Sequence, residues 1–319
     1  MSDKKVYAIV RGGLGNQLFI YAAARKLALA NDASVVLLND SYENEFHGRD
    51  FLLTRFGIAA EVAALSDPSV PYDPQAHRRC RKRDRFFHFI GRPQDAYFIE
   101  RRKRLFKRAS ERVDPRFWKI DFDRYVFLDG YFQDESYFVD IADTLREELR
   151  SAAPLAPETA ALADRVRAAN AVCLHFRRTE LEDVDVRARH DTELGYRPAL
   201  DLSFYERAIE RLGAREEGLE FFAFSDYPQW MLENVRLSVP VTLVTHNCTA
   251  DTCHEDLYLM SQCRHHIISH STFGWWGAWL SQRAGGRVLA PVDTCGRPKS
   301  PFYPASWETV DVCLREGVD

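Results

Sequence analysis

The sequence predicts an α/β protein built from two doubly wound units in series, and three observations carry that expectation. Short continuous apolar runs read as strands buried on both faces of a parallel sheet: VYAIV at 6–10, SVVLL at 34–38, AVCLHF at 171–176 and LEFFAF at 219–224. Helical stretches separate them, in the order that crossover connections between parallel strands require. Between the two sets lies AAPLAPE at 152–158, with two prolines and little that packs. The expected domains are therefore 1–154 and 155–319, and 319 residues are more readily two cores than one.

The strand at 6–10 runs through the glycine-rich turn RGGLGNQ into a helix over 16–30, and a second strand follows at 34–38. Residues 41–75 hold turn-formers and no clear period. The segment 78–108 is dense in Lys and Arg, interleaved with Phe86, Phe87, Phe89, Phe98 and Phe106. It reads either as a helix pair with aromatics inward and charges outward, or as a surface for an anionic partner, a peripheral membrane face or a sugar. A strand at 124–132 ends near Gly130, and 137–150 has the pattern of an amphipathic helix.

Beyond the boundary, a helix over 158–168 precedes the strand 171–176, and a helix over 202–212 precedes the strand 219–224. Helix 227–234, strand 241–244, helix 256–262, strand 266–269, helix 273–283 and strand 287–290 complete the second set. A proline-bearing tail closes the chain.

Composition excludes several classes. A net charge of −4 provides no global basic field for nucleic acid. Seven cysteines occur without a CxxC pair, which argues against a zinc site and for reduced thiols in the cytoplasm. The first apolar run spans five residues, too short for a signal-peptide core, and no stretch approaches the roughly 18 apolar residues of a membrane span.

The turn Gly13-Leu14-Gly15-Asn16-Gln17-Leu18 resembles a dinucleotide fingerprint but fails at its third glycine, where Leu18 is too large for close helix–strand contact. No acidic residue ends the next strand cleanly, although Asp40 is near, and no Gly-Lys-Ser/Thr makes a Walker loop. Two readings stand. Either backbone N–H groups at the helix start, with the amides of Asn16 and Gln17, approach a phosphate, or the turn is simply tight and capped by Asn16.

The second half carries more chemistry. Arg177 and Arg178 leave the C-terminal end of a buried strand, where open α/β sheets bind ligands, and a guanidinium there suits a diphosphate. The alternative is a surface ion pair of either arginine with Glu180. Ser225-Asp226 ends the strand LEFFAF; Asp226 there either accepts from a base or ribose or caps the next helix. Ser271 and Thr272 stand between a short strand and a helix and make an anion site with that helix's first N–H groups. Trp275, Trp276 and Trp279 share helical spacing and read as core, with Gly274 and Gly277 allowing close approach.

Taken in order, these segments resemble the α-1,2-fucosyltransferases of glycosyltransferase family eleven. The opening motif GGLGNQ-x-F-x-Y-A is matched from Gly12 to Tyr21 and Ala22, and GYFQDESYF at 130–138 is similar to a family segment. The motif H-x-R-R with a following acid is matched by His175–Glu180. An FSDD-like motif is similar to Phe224-Ser225-Asp226, and a motif near NSSFSWWGAW resembles residues 270–279. The departures are Glu180 for Asp, Thr179 for Gly, Tyr227 for the second Asp, His270 for Asn, Thr272 for Ser and Gly274 for Ser; they bear on acceptor preference and on the base.

The resemblance implies a GT-B-like fold of two Rossmann-like domains facing across a cleft, with the acceptor on the first and the nucleotide sugar on the second. It implies inverting transfer of L-fucose from GDP-β-L-fucose to the 2-hydroxyl of a galactose-terminated oligosaccharide, in glycan or surface polysaccharide synthesis, with no metal and no cofactor. The resemblance implies that Arg177 holds the β-phosphate and offsets leaving-group charge; Asn16 and Glu180 are the further catalytic candidates, Glu180 either as the base or as an ion pair that orients Arg178. The implied donor contacts are Gly13, Gly15, Asn16, His175, Arg177, Arg178, Ser225, Asp226, Ser271, Thr272 and Phe273, and the glycine turn would reach toward the donor's phosphate and sugar. The competing expectations are another GDP-sugar, a protein hydroxyl as acceptor, or an inactive carbohydrate- or nucleotide-binding protein. Location is expected to be cytoplasmic, with peripheral contact at the membrane face through 78–108.

Overall fold

The computed structural model describes residues 3–40, 50–86, 96–100, 113–178, 200–247, 249, 252–292 and 302–312. The chain divides into two compact units, Met1–Ala152 and Ala153–Asp319.

The first unit holds a five-stranded parallel sheet of β1 (Lys5–Ile9), β2 (Ser34–Leu38), β3 (Glu61–Ala63), β4 (Tyr97–Ile99) and β5 (Tyr125–Asp129), in the order β3-β2-β1-β5-β4. Helix α1 (Leu14–Ala30) connects β1 to β2. Its small and apolar residues, from Leu18 to Ala24, are buried almost without interruption, so it packs as an inner helix rather than as an amphipathic surface one. Helix α2 (Pro74–Phe86) precedes β4, and α3 (Ala142–Glu148) closes the unit.

Two expectations are corrected here. Within 78–108 the described residues form the end of helix α2 and the strand β4, so 97–99 is strand where a helix pair was expected; Phe98 is buried in that strand. Phe87, Phe89 and Phe106 lie outside the described residues. The single helix expected over 137–150 is instead two 3₁₀ turns, Glu135–Tyr137 and Val139–Ile141, followed by α3.

The second unit has a six-stranded parallel sheet of β6 (Asn170–Phe176), β7 (Leu219–Ser225), β8 (Val241–Leu243), β9 (His265–Ile267), β10 (Val288–Val292) and β11 (Glu308–Asp311), in the order β11-β10-β9-β6-β7-β8. Its helices among the described residues are α4 (Pro157–Ala168), α5 (Leu202–Gly213), α6 (Pro228–Asn234), α7 (Cys253–Gln262) and α8 (Thr272–Leu280). The alternation along the central strands divides two cores. Val172, Leu174, Phe176, Phe221 and Ala223 pack with α5, while Ala171, Cys173, Phe222 and Phe224 pack with α4 and α7. Both faces are thus apolar, which is why these strands read as continuous runs. The proline-bearing tail supplies β11, parallel to β10.

Trp275, Trp276 and Trp279 are all buried, and a Cβ on Gly277 would stand 2.6 Å from the Met260 terminal carbon, so α7 and α8 meet there. No helix among the described residues is long and apolar enough to cross a membrane. Cys173 and Cys263 are buried free thiols.

Candidate active site

The second sheet has a topological switch point between β6 and β9, where neighbouring strands lead their crossovers in opposite directions; in the first sheet the corresponding central neighbours are β1 and β5. Open α/β sheets bind ligands beyond the C-terminal ends of such strands. The polar residues singled out in the sequence gather at these two places.

In the second unit, β6 ends at His175-Phe176 and β9 leads into Ser269. The buried imidazole of His175 joins the two strands, its Nδ1 lying 2.8 Å from Ser269 Oγ. Tyr205 from α5 donates to the His175 carbonyl at 2.8 Å. Burial takes the imidazole down to about 4; Asp226 opposes the shift and Arg177 reinforces it, so the ring is neutral at pH 7. Gly274 leaves room for it, since a Cβ there would stand 2.7 Å from Nδ1. Beside it Ser271 caps α8, accepting from the Phe273 N–H at 3.2 Å, and Thr272 and Phe273 form that helix's first turn. Ser225, at the end of β7, accepts from the Tyr227 N–H at 3.1 Å.

Arg177 and Arg178 diverge. The Arg177 guanidinium pairs with Asp226, Nη1 to Oδ2 at 2.8 Å, and remains about a quarter exposed. Arg178 turns back: its guanidinium lies 3.6 Å from the Trp230 ring centroid and donates to the Leu200 carbonyl at 2.7 Å. Its backbone N–H donates to Asp226 Oδ1 at 2.8 Å. Asp226 therefore holds the arginine turn with both oxygens, and the N-cap position of α6 is Tyr227, which makes no capping bond to the helix. Sequence reasoning missed this arrangement, since Asp226 and its partners lie about 50 positions apart. Thr179 and Glu180 lie outside the described residues, so neither the Glu180 ion pair nor its role as a base has a structural counterpart here.

In the first unit, α1 begins at an N-cap Gly13 in extended conformation, with no side-chain cap and no acidic residue in the first turn; Gly15 is buried one residue into the helix. The expected Asn16 cap is not what forms. Asn16 Oδ1 instead accepts from Gln133 Nε2 at 2.7 Å. Gln17 is wholly buried and structural, donating to the carbonyls of Gly12 and Asp50 and accepting from the Leu52 N–H.

Next to this turn stands a cluster that sequence patterning did not reveal. Asp129, the last residue of β5, pairs with Arg11 through one oxygen and lies 2.9 Å from His77 Nε2 through the other. Tyr72 OH lies 2.7 Å from His77 Nδ1, and His77 stacks on Tyr97 at 5.3 Å. Burial alone would raise the Asp129 carboxyl, but the His77 hydrogen bond and the charges of Arg11 and Arg81 outweigh it and take it down to about 2.

The folded carboxyl is thus more acidic than its ordinary 3.8, and its contribution to stability is full above about pH 4 and is lost as pH falls toward 2. The expected size is about 2 kcal/mol. Urea unfolding of the wild type should weaken between pH 5 and pH 3, and Asp129→Asn should be less stable at pH 7 and flatter in that interval; parallel profiles would show that Asp129 contributes no such linkage.

Two doubly wound parallel units in one chain, each with polar residues at the C-terminal ends of central strands, make a GT-B-like α/β architecture. Residues 96–304 match the family model described as Glycosyl transferase family 11. The chain belongs to that family. It is similar to two Escherichia coli proteins over nearly their whole length: an O-antigen biosynthesis glycosyltransferase, WbnK (26% identical, 95% of this chain and 99% of the relative), and an alpha-1,2-colitosyltransferase (27%, 96% and 99%). Among solved structures, the fucosyltransferase NodZ from Bradyrhizobium aligns over 93% of this chain and 97% of its own, with a TM-score of 0.49 and 15% identity.

Proposed function

We propose that the protein is an inverting galactoside 2-α-L-fucosyltransferase that uses GDP-β-L-fucose and requires no metal. The observation that carries the reading is the Arg177–Asp226 pair just past β6, the strand whose His175 lies against Gly274 in the first turn of α8. A guanidinium fixed by a carboxylate is preorganised for a departing diphosphate and supplies the charge that a divalent cation supplies elsewhere. The first-turn N–H groups of α8 add donors for the same anion. In this reading the second unit binds the GDP-sugar, the first binds the acceptor, and the enzyme works in the cytoplasm. Inversion needs attack opposite the leaving phosphate, and Glu180 is the proposed base. Arg178 and Asp226 serve the donor indirectly, by shaping the turn that presents Arg177.

A second reading keeps the linkage and changes the sugar: the similarity to an alpha-1,2-colitosyltransferase over nearly the full chain makes GDP-colitose the alternative donor. The test is GDP release with each donor, with and without galactose-terminated acceptors, and NMR determination of the product linkage. An α-1,2-fucosyl product that forms equally in EDTA is expected. Transfer only from GDP-colitose would select the second reading. Activity abolished by EDTA and restored by Mn²⁺ would defeat the metal-free mechanism, and GDP binding without turnover of any donor would leave a binding protein.

A further inference from the structure

The turn after β5 is held in a conformation that its own sequence disfavours. Phe132 has φ of +49°, a left-handed geometry that a bulky residue adopts only when its surroundings over-determine it. They do so here. The Glu100 carboxylate, just past β4, accepts from the Tyr131 and Phe132 N–H groups at 2.8 and 2.9 Å through one oxygen, and from the Tyr137 hydroxyl at 3.2 Å through the other. The Phe132 ring is wholly buried among Phe98, Phe117 and Tyr137. On the far side, the Asp134 N–H donates to the Phe132 carbonyl at 2.8 Å, and the Asp134 side chain accepts from the Ser136 N–H. Gly130 is tight as well: a Cβ there would stand 2.4 Å from Glu100 Cβ.

What this strained turn delivers is Gln133. Its side-chain amide crosses to the start of α1 and donates to Asn16 Oδ1 at 2.7 Å. An asparagine amide has one accepting end and one donating end, so engaging Oδ1 decides which way the group faces. The donating Nδ2 then lies over the glycine turn, close enough that a Cβ on Gly12 would stand 2.7 Å from it, and Gly12 itself has φ of +78°. No described residue accepts from Nδ2.

We propose that Gln133 is a positioning residue that locks the Asn16 amide with its N–H groups presented to bound substrate, as donors to a sugar hydroxyl or phosphate oxygen. The inference rests on the reading of Asn16 as a substrate-contacting group. It explains why the fold maintains a left-handed Phe132: a relaxed turn would carry Gln133 away from Asn16.

The test is a double-mutant cycle in the full chain, using the donor on which the wild type turns over and reading GDP release, with melting temperature measured for every variant. In Gln133→Glu, position 133 accepts instead of donating, so the Asn16 amide is driven to the opposite orientation. In Gln133→Met, position 133 neither donates nor accepts, and the Asn16 amide is free to rotate. The expected order of kcat/KM is wild type, then Met, then Glu. Gln133→Glu should lose about tenfold or more, similar to Asn16→Ala, at little change in melting temperature. The double variant Asn16→Ala with Gln133→Glu should fall no further than Asn16→Ala alone.

If Asn16→Ala is impaired while Gln133→Glu keeps wild-type turnover, the positioning role is wrong and the reading of Asn16 survives. Additive losses, accompanied by a lowered melting temperature, would show a merely structural contact. An Asn16→Ala variant with full activity would remove the contact on which the inference rests, and would overturn both.

Discussion

Arg177→Ala is expected to lower kcat by about 10²–10³, with a smaller effect on KM and a melting temperature close to wild type. The figure corresponds to about 2.7–4 kcal/mol, the loss that follows removal of one preorganised donor from a developing anion. It falls on kcat because charge accumulates on the diphosphate as the glycosidic bond breaks, so the interaction strengthens toward the transition state. The fold should survive for a structural reason. Asp226 keeps its bond to the Arg178 N–H, and Arg178 keeps Trp230 and the Leu200 carbonyl, so the turn after β6 retains its supports. Lysine should rescue poorly, since an ammonium on a flexible stem cannot reproduce a planar fork braced by a carboxylate. Steady-state kinetics of the Ala and Lys variants, with GDP affinity measured in parallel, check the point. A Lys variant with near-normal turnover would show that only a diffuse charge is needed.

The same corner of the molecule shows what could be read from residues in order and what could not. The parallel strands of the second unit were legible because helices cover both faces, so nearly every residue from Ala171 to Phe176 is apolar. The position of Arg177 just past the C-terminal end of β6 was legible, because it is the charged residue that ends such a run. The purpose of Asp226 was not legible. Its position suggested a nucleotide contact or a helix cap, and only the pairing of β6 with β7 brings it against both arginines. The cluster of Tyr72, His77, Asp129 and Arg11 was invisible for the same reason, since Asp129 meets residues 52 and 118 positions away. Short strands failed differently. Tyr97–Ile99 is three residues long and sits in a charge-dense segment, too brief for a period to show. The helix expected over 137–150 breaks into 3₁₀ turns because Tyr137 and Phe138 are drawn into the core beneath the turn after β5.

Asp129 and Asp256 place carboxylates of opposite character in the two units. Asp129 is surrounded by cations and is held acidic. Asp256, in the first turn of α7, is just as buried but meets no cation among the described residues: Oδ1 is without a hydrogen-bond partner there, and the neighbour is another acid, Glu255. Strongly shifted, uncompensated carboxyls concentrate at functional sites, where stability is traded for reactivity or recognition.

Asp256→Asn is expected to remove a pH dependence of stability of roughly 4 kcal/mol. Burial raises the Asp256 carboxyl to about 7; the charge of Glu255 adds to the shift and a hydrogen bond from Asn247 opposes it. In the unfolded chain the group titrates near its ordinary 3.8. Below about pH 4 both states are protonated and the residue is neutral in effect. As pH rises from 4 toward 7, the unfolded state ionises while the folded state holds its proton, so the native protein loses stability steadily. Above about 7 both states are ionised and the loss levels off. Asparagine has the same shape and carries no charge, and its amide can still bond with Asn247, so the variant should match the wild type near pH 4 and exceed it at pH 8. Urea unfolding at pH 4.5, 6 and 8, with the difference between wild type and variant plotted against pH, isolates this residue from the acid-side loss due to Asp129. A difference that is constant across that range would mean that Asp256 ionises as easily in the fold as in the open chain, through water or a counter-charge reaching Oδ1.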